Sequence, residues 1–120
     1  LLGNGAVDSM TVWWEYEVWP SYDPLDDNSD VIVTLEDGSR WAALFTTYQN
    51  IKTLAEKNRR TGECLSGQYL DIPHLILVEE LSRPLIEAVV EDIAQNGTLA
   101  ACFACLDSVD KAGNMPYNTP

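Results

Sequence analysis

Lys52, Lys57, Arg59 and Arg60 are four of only seven Lys and Arg in a chain of 120 residues that carries nineteen Asp and Glu. Thr61 and Gly62 follow at once. Two guanidiniums beside a glycine turn with free N–H groups can grip a carboxylate or another anion bidentately. Two other readings compete. Cations in the last turn of a helix complement its exposed carbonyls and pair with the chain's own carboxylates. The cluster could also meet an acidic patch on a second copy, supplied by Asp26, Asp27 and Asp30 or by Glu79 and Glu80.

The thiols offer a second chemistry. Cys102-Phe103-Ala104-Cys105 spells C-x-x-C, but it lies in the apolar run TLAACFACL, where cysteine packs as a small hydrophobe. Cys64, His74, Cys102 and Cys105 supply just enough ligands for zinc, without paired knuckle spacing. Cys64 and His74 could form a nucleophile and base, with Arg59 and Arg60 lowering the thiol pKa, yet no oxyanion loop or third group is recognisable. His74, after Pro73, reads as a strand-entry residue. Asp23, Asp26, Asp27 and Asp30 crowd one loop but lack the spacing and turn glycine of a calcium loop, which leaves a solvated loop. No metal and no cofactor is expected.

The aromatics are numerous for this length. Trp13, Trp14, Trp19, Trp41, Tyr16, Phe45, Tyr48 and Tyr69 include tryptophans on both faces of a single predicted strand. One core layer cannot hide both faces, so either helices cover each, or one face meets a ligand or another subunit. Trp13 and Trp19 are expected to line an interface or a pocket mouth, with Trp14, Tyr16 and Trp41 inside. Arg59, Arg60 and Tyr69 are further candidates for such a site, and Glu15 and Glu17 could edge it for a cationic ligand.

The elements that must hold these residues are legible in part. TVWWEYEVW (11–19) alternates as a strand and ends at Pro20, before the polar loop 21–30. DVIVTLEDGSRWAALFTTY places strands near 31–36 and 40–47 around an Asp-Gly turn. Tyr48, Ile51, Leu54 and Ala55 change to helical spacing over 47–60, with Thr47 or Asn50 as N-cap and Gly62 as C-terminal stop. Leu75-Ile76-Leu77-Val78 reads as a strand buried on both faces, hence central. SRPLIEAVVEDIAQNG is a helix over 82–97, capped by Ser82, with the apolar stripe Leu85, Ile86, Val89, Val90 and Ile93. A short final helix is predicted within 98–109.

These elements predict one α+β domain over 10–106: a mainly antiparallel sheet of about four strands with two or three helices on one face. Residues 1–9 read as an upstream leader remnant and 107–120 as a polar C-terminal tail.

Three phrases, VTLEDGSRWAALF, NIKTLAEKNRRTGECLSGQY and LILVEELSRPLIEAVVEDI, together resemble a group of small bacterial proteins of unknown function carried on mobile gene cassettes such as integron cassettes. The resemblance spans roughly residues 31–95, and its most specific part is NRRTGECL with Gly67-x-Tyr69 behind it. It implies a bacterial origin, a cytoplasmic product and an oligomer. It brings no reaction and no catalytic residues.

The formal charge of −12 argues against nucleic-acid backbones and anionic membranes, and would attract basic partners. No apolar run is long enough to span a bilayer. Three cysteines and no secretion signal read as reduced thiols in a cytoplasm. The favoured class is a homo-oligomeric, most simply dimeric, acidic interaction protein, with a basic protein such as a toxin as a possible partner. A small-ligand module with an aromatic-lined pocket is the alternative. An enzyme ranks third.

Overall fold

The computed structural model describes residues 10–18 and 21–107. The leader reading (1–9), Trp19, Pro20 and the tail from 108 onward lie outside the described residues. Five strands form one sheet: β1 (Thr11–Trp14), β2 (Asn28–Thr34), β3 (Arg40–Thr47), β4 (Leu75–Val78) and β5 (Ala104–Cys105). The order is β1-β2-β3-β4, antiparallel through β3, with β4 parallel to β3 and β5 antiparallel to it. The helices are α1 (Tyr48–Thr61), α2 (Arg83–Gln95) and α3 (Leu99–Cys102). The protein is therefore an α+β fold with a mainly antiparallel sheet, as its patterning indicates.

The β2–β3 hairpin turns where the Asp-Gly signal lies. Gly38 takes φ +87°, a region an L-residue with a Cβ enters at a cost, and its N–H donates to Leu35 O at 2.9 Å. β2 begins at Asn28, three residues before the expected start, because Asn28, Ser29 and Asp30 pair in register with Thr46, Phe45 and Leu44. β1 is shorter than its alternation suggests. It stops at Trp14 and the chain continues as a 3₁₀ turn over Glu15–Val18. Tyr16 then lies flat against Tyr22, ring centroids 5.7 Å apart, instead of continuing a strand face.

Both long helices start and stop at the predicted signals. The Thr47 hydroxyl accepts from Asn50 N at 3.1 Å and caps α1. Gly62, in the left-handed region at φ +87°, donates to Asn58 O and ends it. Ser82 caps α2 by accepting from Leu85 N. From α2, Ile86 and Val90 are fully buried, with Leu85, Val89 and Ile93 packed around them.

Cross-strand partners share a face of the sheet. Trp14, Val31 and Ala43 form one row of the core face, and Phe45 lies two residues further along β3. Ile86, Val90, Leu99 and Phe103 cover that face, with the Phe45 and Phe103 rings 6.2 Å apart. So α2 and α3 sit on one side of the sheet.

Two further elements differ from expectation. The strand at 75–78 is not central: among the described strands it pairs only with β3, and Leu77 is 40% exposed. Four consecutive apolar residues read the same whether the outward face meets a helix or nothing. The final helix is only Leu99–Cys102. Phe103 turns extended (φ −113°, ψ 152°) to enter the core, and Ala104–Cys105 then pair with Trp41–Ala42. The unpaired edge of β3 outcompetes helix propagation there, so Cys102 and Cys105 stand on different elements.

Between α1 and β4 the chain makes an unusual turn. Cys64, Leu65 and Ser66 all sit near φ +53°, ψ +47°, and Gly67 has φ +81°. Three successive L-residues in that region cost about 1–2 kcal/mol each. The turn recovers part of this through bonds from Ser66 N to Gly62 O and from Gln68 N to Cys64 O, and by seating Gly67 directly on α1.

Candidate functional site: an uncovered sheet face

The face opposite α2 and α3 carries the rows Trp13–Ile32–Ala42–Ala104, Asp30–Leu44–Leu75 and Asn28–Thr46–Leu77. Strand alternation places them there, since their neighbours Trp14, Val31, Val33, Ala43 and Phe45 point into the core. A groove of about 540 Å³ runs along this face, over Trp13, Ile32, Ala42 and Leu44. Pro73 and His74 form one wall, and none of the lining residues belongs to a helix. Trp13 is 48% exposed at its edge, whereas Trp14, one residue on, is 3% exposed in the core.

His74 takes φ +54° immediately before β4, its carbonyl accepts from Leu44 N at 2.9 Å, and its Nδ1 lies 3.3 Å from Cys102 O. It is the strand-entry residue expected from Pro73-His74. No hydrogen bond joins it to Cys64, which lies in the left-handed turn. Among the described residues, no group of three His, Cys, Asp or Glu side chains is placed to hold a metal.

The crowded aspartates do positional work. Asp26 accepts from Asn50 Nδ2 at 2.9 Å and from Thr53 Oγ1 at 2.8 Å; Asp27 accepts from Asp23 N and Asn28 N. The loop is thereby tied to the first turns of α1 rather than merely solvated. Asp30 is separate and exposed, on the groove face.

The other candidate residues are dispersed. Arg59 and Arg60 are exposed in the last turn of α1, where the helix carbonyls carry partial negative charge, and Lys57 pairs with Glu63 at 3.4 Å. Tyr69 is exposed beyond the left-handed turn. Glu15 is half-buried, its backbone N–H donating to Ser29 Oγ at 3.1 Å. Tyr16 and Trp41 are half-buried against the core. None of these lines the groove. Asp30, Ile32, Leu44, Pro73 and His74 do, and of them only the β2 and β3 alternation gave a sequence signal.

Glu17 is engaged within the chain. The Arg83 guanidinium donates to both its carboxylate oxygens, to Glu87 Oε2 at 2.7 Å and to Val12 O at 2.9 Å. Those bonds from Arg83 hold the Glu17 carboxyl below the usual carboxylate range, with slight desolvation opposing. A depressed folded-state pKa adds stability above the unfolded value, about 4.3, and that contribution is lost as pH falls through the lower folded value. A carboxyl-detected NMR titration should find the Glu17 midpoint below about 4.3, rising in Arg83→Gln. A midpoint unmoved by that substitution would assign the shift to another cause.

The fold and this face define an α+β protein in which α2 and α3 cover one sheet face, while the other is open over Trp13, Ile32, Ala42 and Leu44 and closes at its far end, where Thr46 is fully buried and Asn28 Nδ2 donates to Asn50 Oδ1 of α1. Compared with models of known families, with curated proteins and with solved structures, the chain matches none. No helix among the described residues is long and apolar enough to cross a membrane.

Proposed function

We propose that this is a self-associating binding protein, cytoplasmic in a bacterium, whose bare sheet face is closed by the same face of a second copy. The observation that carries the reading is Trp13, 48% exposed beside Ile32 and Leu44 with no helix lining the groove between them. Apolar surface of this kind gains by leaving water.

Charge selects the occupant. A chain of net charge −12 repels its own copies over most approaches. The rows of the bare face hold one carboxylate, Asp30, and the adjacent Arg40 is paired with Asp107 at 3.1 Å. Two copies can meet there with little net repulsion. The patch is only about four strands wide at ~4.8 Å spacing, so the dimer should dissociate in the micromolar range. The remaining acidic surface would then be free for a basic protein partner, which long-range attraction would steer.

Light scattering on the eluting peak should give twice the 13.4 kDa of one chain at high protein concentration. Trp13→Asp should weaken the association at least about 100-fold while leaving the circular dichroism unchanged. A wild-type chain that stays monomeric at hundreds of micromolar, or a Trp13→Asp chain that associates equally well, overturns the reading.

A further inference from the structure

A second cavity lies on the opposite side of the sheet from the groove face. It opens at the hairpin end of the sheet, with about 420 Å³ of space between the β2–β3 turn and the C-terminal end of α2. Leu35, Trp41, Ala94 and Leu99 line it, and Glu36 and Asp37 stand beside them. The volume falls in the range of small-ligand pockets, and the lining combines apolar walls with a few polar groups.

Two features give this cavity one sign. Glu36 and Asp37 are exposed carboxylates of the hairpin turn. The last turn of α2 contains no cation, although α1 ends with Arg59 and Arg60. The Ile93 and Ala94 carbonyls accept from the Thr98 and Gly97 N–H groups, so the helix end adds only its residual partial negative charge, with no cation beside it, and Gly97 lines the cavity. The acidic side is also held in place. Trp41 Nε1 donates to Ser39 Oγ at 3.0 Å, and Ser39 donates to Asp37 Oδ1 from both its hydroxyl (2.6 Å) and its backbone N–H (2.9 Å). One chain of bonds thus fixes an indole wall and a carboxylate together. The bonds from Ser39 also keep the Asp37 carboxyl below the usual range, so it stays charged.

We propose that this cavity binds a small amphipathic cation, its apolar body against Trp41, Leu35 and Leu99 and its ammonium head at Glu36, Asp37 and the end of α2. An ammonium gains from the carboxylates, the helix end and the indole face, while the apolar body replaces water against the walls. The site is independent of the bare sheet face and stands whether or not the protein dimerises.

Hexyltrimethylammonium, hexanoate and 1-hexanol are suitable probes, read by the Trp41 indole N–H and the Leu35 and Leu99 methyl signals in NMR titrations of the full chain. The ammonium should shift these signals saturably and bind at least about tenfold tighter than hexanoate. Glu36→Gln should weaken the ammonium by about three- to tenfold and leave hexanol unchanged. Ala100→Phe, at an exposed position on the cavity wall, should block all three probes without loss of fold, and Trp13→Asp should have no effect. Absence of saturation at Trp41, hexanoate binding as tightly as the ammonium, or Ala100→Phe binding like wild type overturns the proposal.

Discussion

Phe45→Ala should destabilise the protein by about 3–5 kcal/mol, a large part of the roughly 5–15 kcal/mol that holds a domain of this size together. Phe45 is fully buried in the middle of β3, the strand on which β2, β4 and β5 all pair, and its ring meets Phe103. Truncation removes the ring from between the sheet and the segment after α3, where rigid strands on both sides prevent collapse of the cavity. The neighbouring substitution Leu44→Ala supplies the contrast. Leu44 lies on the groove face and is only partly buried. Its loss should cost about 1 kcal/mol in the monomer. Urea unfolding of both variants at low protein concentration measures the difference. Equal costs would mean that the groove face is as well packed as the helical face, and would undercut the assignment of a bare surface.

Gly67→Ala should cost about 2–3 kcal/mol, more than glycine replacement at any turn where space is free. A Cβ at position 67 would sit 2.6 Å from Ala55 O and 3.2 Å from Arg59 N, both backbone atoms of α1 that cannot move without bending the helix. It would also have to accept φ +81°. Gly38→Ala isolates the second cost from the first. Gly38 has a comparable φ of +87° but nothing within 4 Å of an added Cβ. It should lose only about 1 kcal/mol. Hydrogen exchange at the α1 amides would show whether the turn detaches locally in Gly67→Ala before the whole domain unfolds. Identical losses for the two variants would show that the contact with α1 carries no weight.

What could be read from the residues was local. The hairpin needed only Glu36-Asp37-Gly38 between two apolar runs, and α2 needed Ser82, Pro84 and a stripe at helical spacing. The split of Trp13 from Trp14 followed from alternation alone, because successive side chains of a strand point to opposite faces of the sheet. The remainder depended on partners distant in sequence. β5 is two residues long and exists because β3 offers an unpaired edge at Trp41–Ala42. The outward position of β4 depends on no further strand pairing beyond it, which its four apolar residues do not encode. In the left-handed turn, Cys64, Leu65 and Ser66 have no preference for that region, so only closure against α1 places them there. The groove has no local signature for the same reason. Pro73 and His74 reach it from a segment whose sequence says where a strand starts, not what lies beside it. The basic cluster, prominent in composition, is spread along α1, with Arg59 and Arg60 in its last turn.

Because β4 and β5 divide one edge of β3 between them, that edge is completed by loop closures of very different length. The hairpin closes through a short turn, β4 through residues 48–74, and β5 through more than fifty residues, at rising entropic cost. Until the last of these closes, the backbone N–H and C=O groups of Arg40 and Ala42 on that edge form a template open to any extended strand. A newly synthesised chain that has not yet delivered Ala104 and Cys105 is at that moment most exposed to pairing with its neighbours. The last two strand residues thus act as the seal that turns a sticky intermediate into a finished sheet.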